Sequence, residues 1–323
     1  MSDDFAAQPR DPGDDDVLID AEAAPDPRDD VVVGAAPVGD PRDDVLVDPA
    51  TLRTLLQEGR PVVVLDVRWA LGRSDGREQH GSGHVPGAVY VDLDTELASV
   101  PSAEEGRHPV PALADLQAAA RRWGVRAGVP VVAYDAVGGT SAARAWWLLR
   151  WAGVADVRLL DGGLDAWVAS GGPLETGDVV PEPGDVVLGT DGMPTLDADG
   201  VAALARGDTG VVLDARAAER YRGEVEPVDP RAGHVPGARS APTVGNLGAD
   251  GRFLPTAVLR ERFAALGVAA DAPTAVYCGS GVTAAHEVAA LATIGVTAAL
   301  YPGSWSQWSA DPARPAAVGP EPG

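Results

Sequence analysis

A single cysteine stands among 323 residues. One thiol permits no internal disulfide and no multi-cysteine metal site, so neither a cross-link nor a zinc cluster is expected to brace the chain. Basic side chains are scarce as well: 25 Lys and Arg face 48 Asp and Glu, a formal net charge of −23. A field of that sign repels phosphate backbones and anionic bilayers, which argues against nucleic acid or membrane surfaces as partners. No stretch reaches the roughly 18 consecutive apolar residues of a membrane span. Met1-Ser-Asp-Asp-Phe5 lacks the basic and apolar regions of a secretory leader. Together these absences predict a cytoplasmic location, where a reducing milieu keeps Cys278 as a thiol.

Hydrophobic residues make up 45% of the chain, enough to give two ordinary domains a core each. Residues 1–44 hold fourteen acids and three arginines, with Asp26-Pro-Arg-Asp-Asp-Val31 reiterated at Asp40-Pro-Arg-Asp-Asp-Val45. So little apolar content does not offset the entropy of ordering, and this segment reads as an acidic disordered tail. From residue 45 short apolar runs alternate with helical stretches, the pattern of a parallel sheet covered on both faces. Gly171-Gly-Pro173 opens a Gly, Pro and acid-rich linker over 173–192, after which the order repeats. Val211-Val-Leu-Asp-Ala-Arg216 answers Val63-Val-Leu-Asp-Val-Arg68, and Gly233-His-Val-Pro-Gly-Ala238 answers Gly83-His-Val-Pro-Gly-Ala88. A duplication this long implies tandem domains, at 45–172 and 193–311, with 312–323 as a Pro-rich C-terminal tail.

The copies differ decisively at one position: Asp135 follows Ala133-Tyr134, whereas Cys278 follows Val276-Tyr277. Thr274–Tyr277 reads as a strand, Gly279-Ser280-Gly281 as a tight loop, and Thr283 onward as a helix. The cysteine thus leaves the strand beneath a helix N-terminus, whose free N–H groups and positive dipole end favour an anion, here a thiolate. The glycines let backbone N–H groups approach the sulfur. His84 and His234 sit once in each copy, and since the copy without cysteine keeps its histidine, both read as turn residues. Arg216 and Arg220 follow the strand Val211–Asp214 at the edge where open α/β sheets bind ligands; anion binding and ion pairing are both open to them. Trp308 reads as core and Trp305 as a pocket-rim residue.

Tyr277-Cys-Gly-Ser-Gly-Val-Thr-Ala284 resembles the active-site loop of the tandem rhodanese sulfurtransferases, closest to the 3-mercaptopyruvate branch. The resemblance covers about residues 45–311 and implies an α/β fold of two rhodanese-like domains, each a parallel five-stranded sheet with helices on both faces. It implies an enzyme in which Cys278 takes sulfur from a small anionic donor as a persulfide. The acceptor would be a thiol, such as thioredoxin or a small thiol, or cyanide. No metal or organic cofactor is implied. In the matching Arg-Tyr phrase Arg220 would bind the donor, with the loop residues Gly279, Gly281, Val282 and Thr283. The branch's second donor arginine aligns with Val228, and Arg231 is the nearby substitute. The branch's Ser, Asp and His correspond to Ser280, Asp94 and His108. The thiosulfate branch, which carries basic side chains inside the loop, gives the alternative of a thiosulfate:cyanide sulfurtransferase. A reading of another class is a non-enzymatic sulfur carrier or regulatory binding module.

Overall fold

In the computed structural model, residues 39–190 and 192–323 are described, and among them nine short strands carry the architecture. In chain order they are β1 (Leu46–Val47), β2 (Val63–Asp66), β3 (Val89–Tyr90), β4 (Val131–Tyr134) and β5 (Val157–Leu160). The second copy supplies β6 (Val211–Asp214), β7 (Arg239–Ser240), β8 (Thr274–Tyr277) and β9 (Ala299–Leu300). The first sheet runs β1-β5-β4-β2-β3 and the second β7-β6-β8-β9, with every ladder parallel. Strands β4, β6 and β8 are buried along their whole length, which is why they read as unbroken apolar runs.

The second sheet has four strands where five were expected. Its missing edge survives as one parallel bridge, Thr195 to Leu300, made by Leu300 N–H to Pro194 O and Leu196 N–H to Leu300 O. Pro194 has no N–H to donate, so the ladder is cut short there.

A shared lock explains the duplicated phrases. Arg68 donates to Asp66 and to Gly83 O; Arg216 donates to Asp214 and to Gly233 O. The hydroxyls of Tyr134 and Tyr277 accept from Val85 N–H and Val235 N–H. His84 Nδ1 pairs with His80 O and His234 Nδ1 with Tyr221 O, each imidazole stacked on a neighbouring ring. Both histidines are fully buried turn residues in their own domain.

The helices Ala142–Trp151 and Thr283–Ala292 pack against each other and join the two halves. Trp146 and Trp147, fully buried, share one apolar cluster with Ala285, Val288 and Ala289 of the second helix. Alanines on one side leave room for indoles on the other, so shape complementarity is built into the sequences of the two copies.

The segment ends are more firmly held than their composition implied. Residues 1–38 of the expected tail lie outside the described residues, but its last part is folded: Arg42 donates to Leu254 O and Phe253 O and pairs with Asp161. In the linker, Glu175 bridges His84, and Val186 and Leu188 are buried. Over 312–323, Ala317 bridges His234 and Pro322 O accepts from Gly237 N–H, repeating what Glu175 does in the first copy. Prolines here supply carbonyl acceptors to a neighbouring loop, a role compatible with their lack of an N–H.

Candidate active site

Cys278 leaves the end of β8 and is 2% exposed. Its Sγ accepts from Gly281 N–H at 3.2 Å, its amide donates to Ser304 Oγ at 3.1 Å, and its carbonyl accepts from Trp305 N–H. Gly281 has φ 79°, and a Cβ there would lie 2.6 Å from Pro302 O, so no other residue fits. Ser304 is the one non-glycine residue with positive φ among those described, at 53°. The matching residue of the first copy is Gly163, φ 58°. Left-handed backbone costs a side-chain-bearing residue about 1 to 2 kcal/mol, and here the hydroxyl so placed holds the amide of Cys278.

The first copy shows what this loop is shaped to surround. Asp135 stands in the place of Cys278, and its carboxylate accepts from the amides of Val137, Gly139, Ser141 and Ala142. A strand-to-helix loop of this type turns several N–H groups inward around one anion. In the first copy a carboxylate fills this place; in the second the Cys278 sulfur does, accepting from Gly281 N–H.

The three residues matched to the Ser-His-Asp set converge across the domain interface. His108 Nδ1 lies 2.7 Å from Ser280 Oγ, and His108 Nε2 lies 3.5 Å from Asp94 Oδ1, which also accepts from Trp69 Nε1 at 2.9 Å. Burial, then the guanidinium of Arg144, lower the His108 pKa to about 4, against the opposing pull of Asp94. The imidazole is therefore neutral near pH 7 and can accept a proton. Arg144, fully buried, donates to Leu97 O, His108 O and Gly281 O, so one first-copy guanidinium spans the histidine segment and the cysteine loop. Burial lowers its pKa to about 10, still charged at neutral pH. No signal within one copy marks Arg144, because its role exists only at the interface.

Opening beside the sulfur is a cleft of about 280 Å³ lined by residues of both copies, among them Trp69, Arg107, Arg220, Cys278, Gly279 and Ser280, with Val282 and Thr283 at its wall. Its ionic groups form an alternating chain. Asp214 pairs with Arg216, Arg216 and Arg220 share Glu226, and Arg220 and Arg107 share Asp229. Arg216 lines the cleft but is 4% exposed and bound up in the lock it shares with Arg68, so its placement favours the ion-pair reading over donor binding. Arg220 faces the cleft. Arg231, expected beside it, is elsewhere: its guanidinium donates to the carbonyls of Trp308, Ser309, Asp311 and Arg314, capping the helix Ser304–Ala310. Carbonyls at a helix C-terminus have no intrahelical donor, and a cation there also meets the negative dipole end. Trp305 is likewise core, fully buried with Arg216 4.7 Å above its ring, not rim. Arg107 was missed in the sequence, though it directly precedes His108. Among the described residues no group of three or more His, Cys, Asp or Glu is placed to hold a metal ion, and no helix is long and apolar enough to cross a membrane.

Behind the loop lies a polar cluster with a titration of its own. His286 Nδ1 is 2.7 Å from Thr243 Oγ1, and Glu287, fully buried, accepts from Asn246 Nδ2. Burial raises the Glu287 pKa to about 7. A carboxyl with a folded pKa above its unfolded value of 4.5 stabilises fully below pH 4.5, and this contribution is lost as pH rises through 7. Glu287→Gln, which keeps the acceptor and removes the charge, is therefore expected to be more stable than the parent at pH 8.5 by on the order of 2 kcal/mol, a few degrees in Tm. The difference should vanish near pH 4.5. Equal melting shifts at both pH values would show that Glu287 is not charged in the fold.

Comparison with known proteins places this geometry. The Rhodanese-like domain model matches residues 48–170 and again 197–311. A Mycobacterium tuberculosis protein, SseB, whose name assigns it as a thiosulfate sulfurtransferase, is 49% identical over 271 residues, 84% of this chain and 95% of its own. The 3-mercaptopyruvate sulfurtransferase of Escherichia coli is 34% identical over 258 residues, 77% of this chain and 89% of its own. The crystal structure of SseA from Escherichia coli, a 3-mercaptopyruvate sulfotransferase, superposes with a TM-score of 0.72, covering 81% of this chain and 98% of SseA. With two matched domains, two parallel α/β sheets and relatives aligned through both halves, this chain belongs to the tandem rhodanese family and is a sulfurtransferase.

Proposed function

We propose that the enzyme moves sulfur from 3-mercaptopyruvate to a thiol, such as thioredoxin or a small thiol, or to cyanide, through a persulfide on Cys278. The observation that carries this reading is the Ser280–His108 contact of 2.7 Å in the cleft that holds the sulfur. In the first half-reaction the thiolate attacks the donor's thiol sulfur, the sulfur–carbon bond breaks, and its electron pair leaves as the enolate of pyruvate. The donor's S–H proton passes to Ser280 as the serine gives its own to neutral His108; the proton then returns to the enolate carbon, giving pyruvate. In the second half-reaction a thiol acceptor takes the outer sulfur and the Cys278 thiolate is restored. A reducing cytoplasm suits this chemistry, because the nucleophile must stay a free thiol.

Charge supports the donor. The cleft's three guanidiniums, Arg216, Arg220 and Arg107, are matched by three carboxylates, Asp214, Glu226 and Asp229. A monoanionic carboxylate asks less of such a balanced set than dianionic thiosulfate, whose departing sulfite needs uncompensated cations. The second reading, a thiosulfate enzyme, is favoured by the similarity to SseB. Steady-state kcat/KM for each donor, with cyanide as acceptor, separates the two. Mercaptopyruvate is expected to exceed thiosulfate by at least about ten-fold, roughly 1.4 kcal/mol in transition-state binding. A higher value for thiosulfate would replace the first reading by the second.

A further inference from the structure

Two guanidiniums, one from each copy, converge on the glycine that follows the nucleophile. A Cβ on Gly279 would lie 3.1 Å from Arg107 Nη2 and 3.4 Å from Arg220 Nη1. Those two nitrogens make no hydrogen bond among the described residues. Arg107 is held through Nη1 on Asp229, and Arg220 through Nε and Nη2 on Glu226 and Asp229. Arg107 Nε is buried and also has no partner among the described residues. Asp229, 8% exposed, thus anchors both side chains while leaving Nη2 of Arg107 and Nη1 of Arg220 unused beside Gly279. The Arg107 backbone is fixed as well, its amide donating to Ser306 Oγ at 3.0 Å. Unused, fixed N–H donors on two guanidiniums fit a planar oxyanion, and only a residue without a side chain leaves that anion room.

We infer that Arg107, contributed by the copy that lacks the cysteine, is a donor-binding residue that grips the anionic group of the sulfur donor together with Arg220. The inference deepens the proposed function, on whose donor site it rests. It fills the place left by Val228, which is 39% exposed and has no charge to offer. It also makes donor affinity a property of both copies. Since His108 is the next residue, one short segment delivers the anion contact and the proton acceptor in fixed relation.

The test uses the full chain and two readouts. With the preferred donor, Arg107→Gln should raise KM about thirty-fold and change kcat less than about three-fold, the pattern of an interaction made equally in ground and transition states. The second readout needs no donor: the ratio of Cys278 alkylation rates by iodoacetate, an anion, and iodoacetamide, its neutral analogue. This ratio should fall about ten-fold in Arg107→Gln and in Arg220→Gln, and stay unchanged in Arg60→Gln, which removes the same charge from an exposed residue outside the cleft. Arg107→Lys, which keeps charge but loses the fork, should keep most of the ratio while KM rises about ten-fold; it carries the test if Arg107→Gln does not fold. A ratio and KM within two-fold of the parent in the Arg107 variants would overturn the inference. Should thiosulfate prove the better donor, the KM effect moves to thiosulfate while the alkylation ratio behaves as stated, so the two ideas fail separately.

Discussion

Cys278→Ser is expected to lose sulfur transfer by a factor on the order of 10⁴ or more with every donor, because no other sulfur in the chain can carry the persulfide. The substitution is close to isosteric at a site 2% exposed. The serine oxygen can still accept from Gly281 N–H, so melting temperature should shift by no more than a few degrees. Mass spectrometry after donor treatment should add the mass of one sulfur atom to the parent and nothing to the variant. Turnover retained by the serine protein would remove the persulfide mechanism altogether.

The second large effect concerns the relay. Ser280→Ala and His108→Asn should each lower kcat with mercaptopyruvate by about 10²- to 10³-fold, the usual size of a general acid–base contribution. Thiosulfate has no proton to hand over, so its kcat should change only a few-fold in the same variants. The double variant should be no worse than the singles, since a relay broken once is broken. His108 also fixes the pH profile. With its pKa held near 4 by burial, the acid limb of mercaptopyruvate kcat/KM should fall near that value and not near 6.5. The same lowered pKa means a stability contribution complete above pH 6.5 and lost as pH falls toward 4. An unchanged kcat in both single variants would leave Ser280 as loop packing only.

Much of this was legible in the residues, for physical reasons. Parallel strands buried on both faces leave unbroken apolar runs, and the duplicated Asp-x-Arg and Gly-His-Val-Pro-Gly phrases recur because each copy needs the same buried ion pair and the same tyrosine-held turn. The cysteine loop was readable because its glycines are required by backbone geometry, as Gly281 shows. What escaped were partners distant in sequence. Arg144 reaches Gly281 O and Arg107 reaches Asp229, each more than a hundred residues away, and nothing in their own neighbourhoods announces those partners. Arg231 misled for the converse reason: its nearness in sequence to Val228 said nothing about the helix end it caps. Composition was also silent on how the Pro-rich stretch 312–323 is held, through Pro322 O together with the N–H groups of Ala317 and Gly319.

The seam between the copies has a consequence for how the catalyst persists in dilute solution. Cys278 and Arg220 lie on one side, His108 and Arg107 on the other, and the seam is crossed by Arg144 to Gly281 O, Arg42 to Phe253 O and the packed tryptophans. Were the halves separate chains, the complete site would exist only above their dissociation constant. Joined by a linker that runs back along the first copy, each half sees the other at an effective concentration on the order of millimolar, whatever the protein concentration. The chain is in this sense a heterodimer with fixed stoichiometry, in which one partner carries Asp135 where the other carries Cys278.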